Sequence, residues 1–333
     1  MYKITFLTEM GFEGKISVSH KNMRTEFAWM YALNAVHNNI HDYENISGYD
    51  FVFVIFPKGR VFLSTEGSKL IDGVNPVSDL LKSDFIHKLK DNNSNVFYVQ
   101  EGPHWWWTNY DIQDQILFYN MISECDAIFA HNEVDMNYYR GLFKNKKVYK
   151  MPSLMIEETV KHISPKQENK VIVGGNFSRW YGGFESYLVA SKFKLPIWTQ
   201  TSHAMRENEE FLDNLNHLPR LNWTDWMGAL SEFKYAVHLM PTIAAGTFNL
   251  NCAYFGIPCV GNKNVDTQRI CFPELSVDIS DVHSANVLID KLINDQEFYY
   301  ECSKNARENY LKYFSLSSFN KYLDNILESF EGK

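Results

Sequence analysis

Twice along this chain a short, β-rich apolar run leads into a glycine-bearing turn and then into a helix-length segment, and no other feature constrains the fold as tightly. The first instance runs from Tyr2 to Leu7, then through Gly11 and Gly14, into a segment that begins at Asn22 as N-cap. That segment predicts a helix over Met23 to Ala35, with Met23, Phe27, Met30 and Asn34 on one stripe. The second instance is Lys170-Val-Ile-Val-Gly-Gly-Asn-Phe-Ser-Arg-Trp-Tyr-Gly-Gly183, followed by a helix over Phe184 to Phe193. No internal sequence repeat exists beyond this shared grammar.

Each opening is continued by alternating strands and helices. Strands are predicted at Asp50 to Phe56, Asn95 to Gln100, Asp126 to Ala130 and Lys147 to Met151. In the second half they are predicted at Leu195 to Gln200, Leu218 to Leu221, Tyr235 to Met240, Gly256 to Gly261 and Leu275 to Asp278. Thr224 is the expected N-cap of a helix carrying Trp226, Leu230 and Phe233, and the chain reads as helical from Ser284 to its end. Such alternation implies parallel sheets covered by helices. The polar stretch from Ile163 to Lys170 reads as a linker, so the boundary falls between Pro152 and Lys170. The expected layout is 1–155, then 165–315, with a closing helix over 316–333 that returns to the first domain.

Composition excludes several classes. With 45% hydrophobic and 22% charged residues, neither disorder nor a fibrous repeat is indicated. No apolar run approaches the roughly 20 residues that span a bilayer, and the first nine residues acquire charge too soon for a signal peptide, so a cytoplasmic protein without a membrane span is expected. The five cysteines are odd in number and widely spaced, which predicts reduced thiols used as small core residues. A net charge of -8 argues against a protein that coats nucleic acid. Aromatic residues reach 15%, a surplus for which stacking on carbohydrate or bases is one use.

The most specific stretch is Met240-Pro-Thr-Ile-Ala-Ala-Gly-Thr-Phe-Asn-Leu-Asn-Cys-Ala-Tyr-Phe-Gly-Ile-Pro-Cys-Val260. Gly246 there lets backbone amides approach a diphosphate, and a helix from about Thr247 aims its positive end at it. The stretch resembles the donor-binding segment of GT-B glycosyltransferases, the group that includes the family 4 retaining enzymes. Trp223 to His238 looks like the helix and buried strand that precede that motif, so the resemblance spans the C-terminal half. It is thinner in the N-terminal half, resting on the Gly11 to Gly14 loop, His104 and Asp126-Ala-Ile-Phe-Ala-His-Asn132. The resemblance implies an α/β protein of two Rossmann-like domains facing each other across a cleft. It departs from family 4 where that family carries paired glutamates, because Ile243 and Asn251 stand at those positions.

The resemblance also implies roles for single residues. The donor set is Gly14, Gly175, Asn176, Arg179, Trp223, Gly246, Thr247, Phe248 and Asn251. Arg179 would neutralise the diphosphate, or else is a solvated loop arginine. Asn251 would hold the ribose, and Trp223 would stack on the base or pack. His104, just past a strand end, would face the transferred sugar or cap the aromatic run Trp105 to Trp107. His20 lies where inverting enzymes place a base, and reads equally as a solvent-facing residue before a helix. Glu101, Glu13 and Arg24 are further candidates for acceptor or phosphate contacts, His131 and Asn132 for the cleft wall, and Lys263 and Arg269 for a donor loop or plain surface charge.

No Asp-x-Asp triplet or metal-ligand spacing occurs, so no metal and no cofactor are expected, and neither a dinucleotide fingerprint nor a P-loop is present. The expected chemistry is transfer of a sugar from a nucleotide-diphosphate sugar, such as a UDP-sugar, to an acceptor hydroxyl. The acceptor stays open among a glycan, a small molecule and modified DNA, since enzymes that glycosylate hydroxymethylated bases in phage DNA share the fold. The missing glutamates keep a third reading alive, a sugar-nucleotide or glycan binder without catalysis.

Overall fold

The computed structural model describes residues 2–9, 14–20, 22–56, 80–100, 102–175, 177, 180–200 and 208–331. The chain divides into two compact units, one made of Met1–Ser17, Met30–Met151 and Asn325–Lys333, the other of Val18–Trp29 and Pro152–Asp324.

The first unit is built on β1 (Ile4–Thr8), β2 (Gly14–Lys15), β3 (Val36–Asn39), β4 (Phe51–Val54), β5 (Asn95–Val99), β6 (Ala127–Ala130) and β7 (Lys147–Lys150), in the spatial order β2-β3-β1-β4-β5-β6-β7. All pairings are parallel except the short β2–β3 contact. Strands β1, β4, β5 and β6 are buried along their whole length, as strands covered on both faces must be. One face is a run of phenylalanines, with Phe53 stacked on Phe6 at 4.8 Å and Phe97 edge-on to Phe53 at 5.3 Å. The other face packs Trp107 flat on Phe118 at 3.7 Å. Much of the aromatic surplus is therefore core, and Trp107 offers no stacking surface to a ligand. Phe330, near the C-terminus, closes the first face against Phe97 at 4.8 Å.

The helices in chain order are α1 (Glu26–Ala32), α2 (Phe85–Asn92), α3 (Ile112–Glu124), α4 (Glu133–Leu142), α5 (Gly183–Ala190), α6 (Trp223–Leu230), α7 (Thr247–Phe255), α8 (Asp266–Cys271), α9 (Val282–Asn294), α10 (Gln296–Tyr313) and α11 (Leu316–Glu328). α1 is shorter than the sequence predicts at both ends. Thr25 at φ +51° and Asn34 at φ +49° bracket it in the left-handed region, which a continuous helix does not enter. Met23 and Arg24 are extended, with the Ile156 amide donating to Met23 O and the Thr25 amide to Leu154 O, so Asn22 caps nothing. β2 and β3 were not expected, because Val-His-Asn-Asn carries no apolar pattern, yet its His37 is buried against the Thr8 hydroxyl at 2.8 Å.

The second unit holds β8 (Glu168–Val173), β9 (Ile197–Gln200), β10 (Leu215–Leu218), β11 (Phe233–His238), β12 (Cys259–Asn262) and β13 (Ser276–Val277) in the order β10-β9-β8-β11-β12-β13. All these pairings are parallel. This is the doubly wound order, in which winding reverses between the first strand and the fourth, here β8 and β11. The strand expected at Leu218 to Leu221 lies three residues earlier, because Pro219 has no amide to donate and ends it. Thr224 is already helical, and Asn222 caps α6 instead, accepting from the Asp225 amide at 3.0 Å. All five cysteines are buried and unpaired, and burial pushes the Cys125 thiol up to about 12. Among the described residues no helix is long and apolar enough to cross a membrane.

Candidate functional site

In an open parallel sheet a ligand crevice forms where neighbouring strands send their connections to opposite faces. In the second unit that place is the C-terminal end of β8 beside β11. β8 runs into Gly174, and a Cβ there would lie 2.7 Å from both the His238 ring, which ends β11, and the Phe248 ring in the first turn of α7. Only a glycine lets these three segments touch. Gly175 follows at φ +78°, where an added Cβ would lie 2.9 Å from Tyr181, so the chain turns sharply out of the sheet.

The turn from β11 into α7 is held as firmly. Gly246 sits at φ +71° immediately before the helix, and a side chain there would overlap Thr267 Oγ1 and come within 2.6 Å of Val265. The Thr267 hydroxyl donates to Gly246 O at 2.8 Å, and the Ser153 hydroxyl donates to Ala245 O. Among the described residues no side chain caps α7, while Thr247 and Phe248 are half-buried. The helix thus begins with its amide hydrogens uncapped at a half-open surface, which is an anion-binding arrangement.

Beneath this turn lies a buried chain of amides. The Gln268 amide nitrogen donates to Cys259 O at 2.8 Å and Leu275 O at 3.2 Å, which leaves Gln268 Oε1 to accept from Asn249 Nδ2 at 2.6 Å. Asn249 Oδ1 is then an acceptor, so His238 must donate to it through Nδ1–H, at 2.9 Å. Two backbone carbonyls therefore dictate the histidine's tautomer. Burial drives its pKa down from 6.5 to about 4, against a smaller upward pull from Asn249, and the ring is neutral at physiological pH.

Of the donor residues expected from sequence, Gly175, Gly246, Thr247 and Phe248 belong to the two turns at this point. Asn176 and Arg179 lie outside the described residues. Asn251 is buried in α7, where its amide, in the orientation that satisfies both ends, donates to Thr247 O at 3.1 Å and accepts from Trp226 Nε1 at 2.9 Å. It ties helix to helix from a buried position. Trp223 is buried too, with its indole N–H on Thr159 Oγ1 at 2.9 Å, so it packs and does not stack on a base. Gly14 is in the first unit on the edge strand β2, at φ +101°, where an added Cβ would meet no described atom within 4 Å. Lys263 pairs with Asp278 at 2.8 Å at the surface, and the exposed Arg269 pairs with the buried Asp266 at 3.2 Å.

The residues expected to be catalytic, or to contact acceptor or phosphate, are divided between the two units. His20 is in the second unit, its Nδ1 closing a tight turn on the Asn22 backbone at 2.8 Å and its ring stacked on Phe27 at 4.5 Å. Arg24 donates to Asn22 Oδ1 at 3.2 Å, and burial lowers the pKa of its guanidinium. Glu13 and Glu101 lie outside the described residues. His104 opens a short 3-10 turn (His104–Asn109) after β5 in the first unit, and its Nδ1 stands 2.6 Å from Asp135 Oδ1. Asp135 is buried in the first turn of α4, whose cap is Asn132. His131 and Asn132 are buried behind it rather than lining an open wall.

Sequence reasoning missed His238, Asn249, Gln268 and Asp135. The spacing Asn132-x-x-Asp135 carried a readable signal, since it is a capping pattern directly after a strand. Among the described residues no group of three or more His, Cys, Asp or Glu could hold a metal ion.

The chain has the GT-B fold, with a parallel α/β sheet in each unit. Solved structures of that fold resemble it along nearly its whole length. Sucrose-phosphate synthase from Thermosynechococcus elongatus superposes with a TM-score of 0.66 at 13% identity, covering 99% of both chains. An α-glucosyltransferase in complex with UDP and a 13-mer DNA containing an HMU base gives 0.63 at 12% identity, covering 98% of this chain and 99% of the other. Anabaena HepE in complex with UDP gives 0.63 at 11%, covering 98% and 100%. No family model matches the chain, and no curated protein matches it in sequence.

Proposed function

We propose that this protein is a glycosyltransferase that moves a sugar from a nucleotide-diphosphate sugar to an acceptor hydroxyl. The observation that carries the reading is the uncapped start of α7 at the winding reversal of the second unit, where Gly174 and Gly246 strip side chains from both turns. The diphosphate would take amide hydrogens of Thr247 and Phe248, adding the partial positive charge of the helix end. Arg179, from the glycine-rich turn after β8, would supply the full charge that the leaving diphosphate needs. Stabilisation of this kind is positional and electrostatic, and it invokes no metal and no cofactor. The neighbours in complex with UDP support UDP as the first nucleotide to test.

Calorimetry with UDP, GDP and ADP against the wild-type chain and Arg179→Ala tests the donor site. Binding of one nucleotide, weakened at least tenfold by the substitution, is the expected result. Binding of none of the three would overturn the reading. UDP release on incubation with UDP-sugars then separates an enzyme from a binder.

A second reading concerns the acceptor alone. The match to an α-glucosyltransferase in complex with DNA extends over 98% of this chain, which favours testing DNA carrying hydroxymethylated bases before other acceptors. Sugar incorporation into such DNA and not into plain DNA would assign it. Equal behaviour of the two DNAs would return the acceptor to a glycan or a small molecule.

A further inference from the structure

The first unit carries a carboxylate–imidazole pair whose hydrogen bonds leave one arrangement of protons. Asp135 Oδ2 accepts two amide N–H groups, from Gln100 Nε2 at 2.6 Å and Asn132 Nδ2 at 3.0 Å. Both amide assignments are fixed independently: Gln100 Nε2 also donates to Gly102 O at 2.7 Å, and Asn132 Oδ1 accepts the Asp135 amide at 2.8 Å. The carboxylate is thus the acceptor on every side, and its remaining oxygen, Oδ1, faces His104 Nδ1 at 2.6 Å. Nδ1 must carry the proton.

We infer that Asp135 is a positioning residue, which locks neutral His104 in its Nδ1–H form and leaves the Nε2 lone pair to accept from, or take a proton from, a ligand hydroxyl. Geometry around the ring supports this. Asp135 is 1% exposed and the His104 side chain 27%, so the carboxylate is sealed while the imidazole reaches solvent. Tyr138 stacks on the imidazole at 4.2 Å, and its hydroxyl is anchored to the Tyr119 hydroxyl at 2.7 Å, so ring tilt is restricted as well. Among the described residues the hydrogen bond of the His104 ring is made through Nδ1, and no hydrogen bond is made through Nε2. The pair stands past the C-terminal ends of β5 and β6, on the side of the sheet where α/β proteins bind ligands. A buried carboxylate behind a histidine fixes both tautomer and orientation, the arrangement that lets an imidazole work as a base or as a directed acceptor.

For its consequence on transfer the inference rests on the reading proposed above; for the tautomer it does not. Asp135→Asn decides it, because the new amide cannot present its nitrogen to Gln100 and Asn132, which already donate. Its oxygen must take the Oδ2 place, its NH2 must face His104 Nδ1, and the imidazole proton must move to Nε2. Nitrogen-15 NMR of the neutral imidazole should show the Nδ1–H form in the wild type and the Nε2–H form in Asp135→Asn, with thermal unfolding showing that the variant is folded. In a transfer assay the variant should lose 100-fold or more in kcat with the donor KM within threefold. An Nε2–H wild type, or a variant with unchanged tautomer, would overturn the inference. Should the variant not fold, the wild-type tautomer alone still decides. Inversion of the tautomer with no transfer by either protein would uphold the positioning of His104 and overturn the enzymatic reading instead.

Discussion

Two histidines end up behind the C-terminal edges of the two sheets, each tied through Nδ1, and what ties them differs. His238 is held by an amide, fully enclosed, and burial forces it neutral. His104 is held by a carboxylate, and its side chain is partly exposed. An amide partner cannot stabilise an imidazolium as a carboxylate does, so the first arrangement suits a structural strut and the second a group that meets ligand. Each unit therefore has a polar core at its strand ends, one supporting the backbone of a turn, the other presenting a side chain.

The largest effect that tests the strut is steric. Gly246→Ala forces a non-glycine residue to φ +71° and drives a methyl group into Thr267 and Val265. The conformational strain alone costs about 1–3 kcal/mol, and the overlap adds to it. Chemical unfolding should show that loss, and nucleotide binding should fall with it. A variant as stable as the wild type would mean that the turn relaxes freely, and the rigid-strut picture would fail.

Next in size is the pH response of His238. Its folded pKa of about 4 lies below the unfolded 6.5, so the unfolded chain binds the extra proton first and stability falls as pH drops from 6.5 towards 4. At about 1.4 kcal/mol per unit the loss amounts to at most about 3 kcal/mol. His238→Gln keeps an N–H donor for Asn249 and removes the titration, so its urea midpoint should fall less than that of the wild type between pH 7 and pH 5. Parallel curves for the two proteins would show that this histidine is not the buried neutral group described.

Legibility followed the same divide. The glycine turns of the second unit were readable because glycine is a local signal: Gly174, Gly175 and Gly246 mark close approaches that no other residue permits, and the residues after Gly246 announce a helix start. The amide chain below them was not, since Asn249, Gln268 and His238 meet only after α7, α8 and β11 have packed. Asn251 and Trp223 misled for a related reason. Each has chemistry suited to a nucleoside, but polar atoms on buried helices are committed to neighbours that the one-dimensional pattern does not show. The ends of α1 were misplaced because the extended pairing of Met23 and Arg24 with residues 155 and 156 outweighs a helical stripe. His104 stands out by its place after a strand, whereas the capping spacing that marks Asp135, 31 residues further on, says nothing of the histidine it meets.

The smallest effect sharpens the comparison from the other unit. Asn132→Ser keeps a capping oxygen for the Asp135 amide, since serine is nearly as good at this position as asparagine. It deletes only the Nδ2 donor to Asp135 Oδ2, while Gln100 still donates to that oxygen. Global stability should then drop by only about 0.5–1.5 kcal/mol, the usual net worth of one hydrogen bond. Because one amide donor still marks Oδ2 as the acceptor side, His104 should keep its proton on Nδ1. The Asn249→Ser variant is the matching cut in the second unit, and there a loss of about 2–6 kcal/mol is expected, because Gln268 Oε1 and His238 Nδ1–H are both left buried without partners, at about 1–3 kcal/mol each. Equal losses at the two sites, measured by urea unfolding at pH 7, would remove the distinction between a chain of amides that supports a turn and a carboxylate that tolerates the loss of one donor.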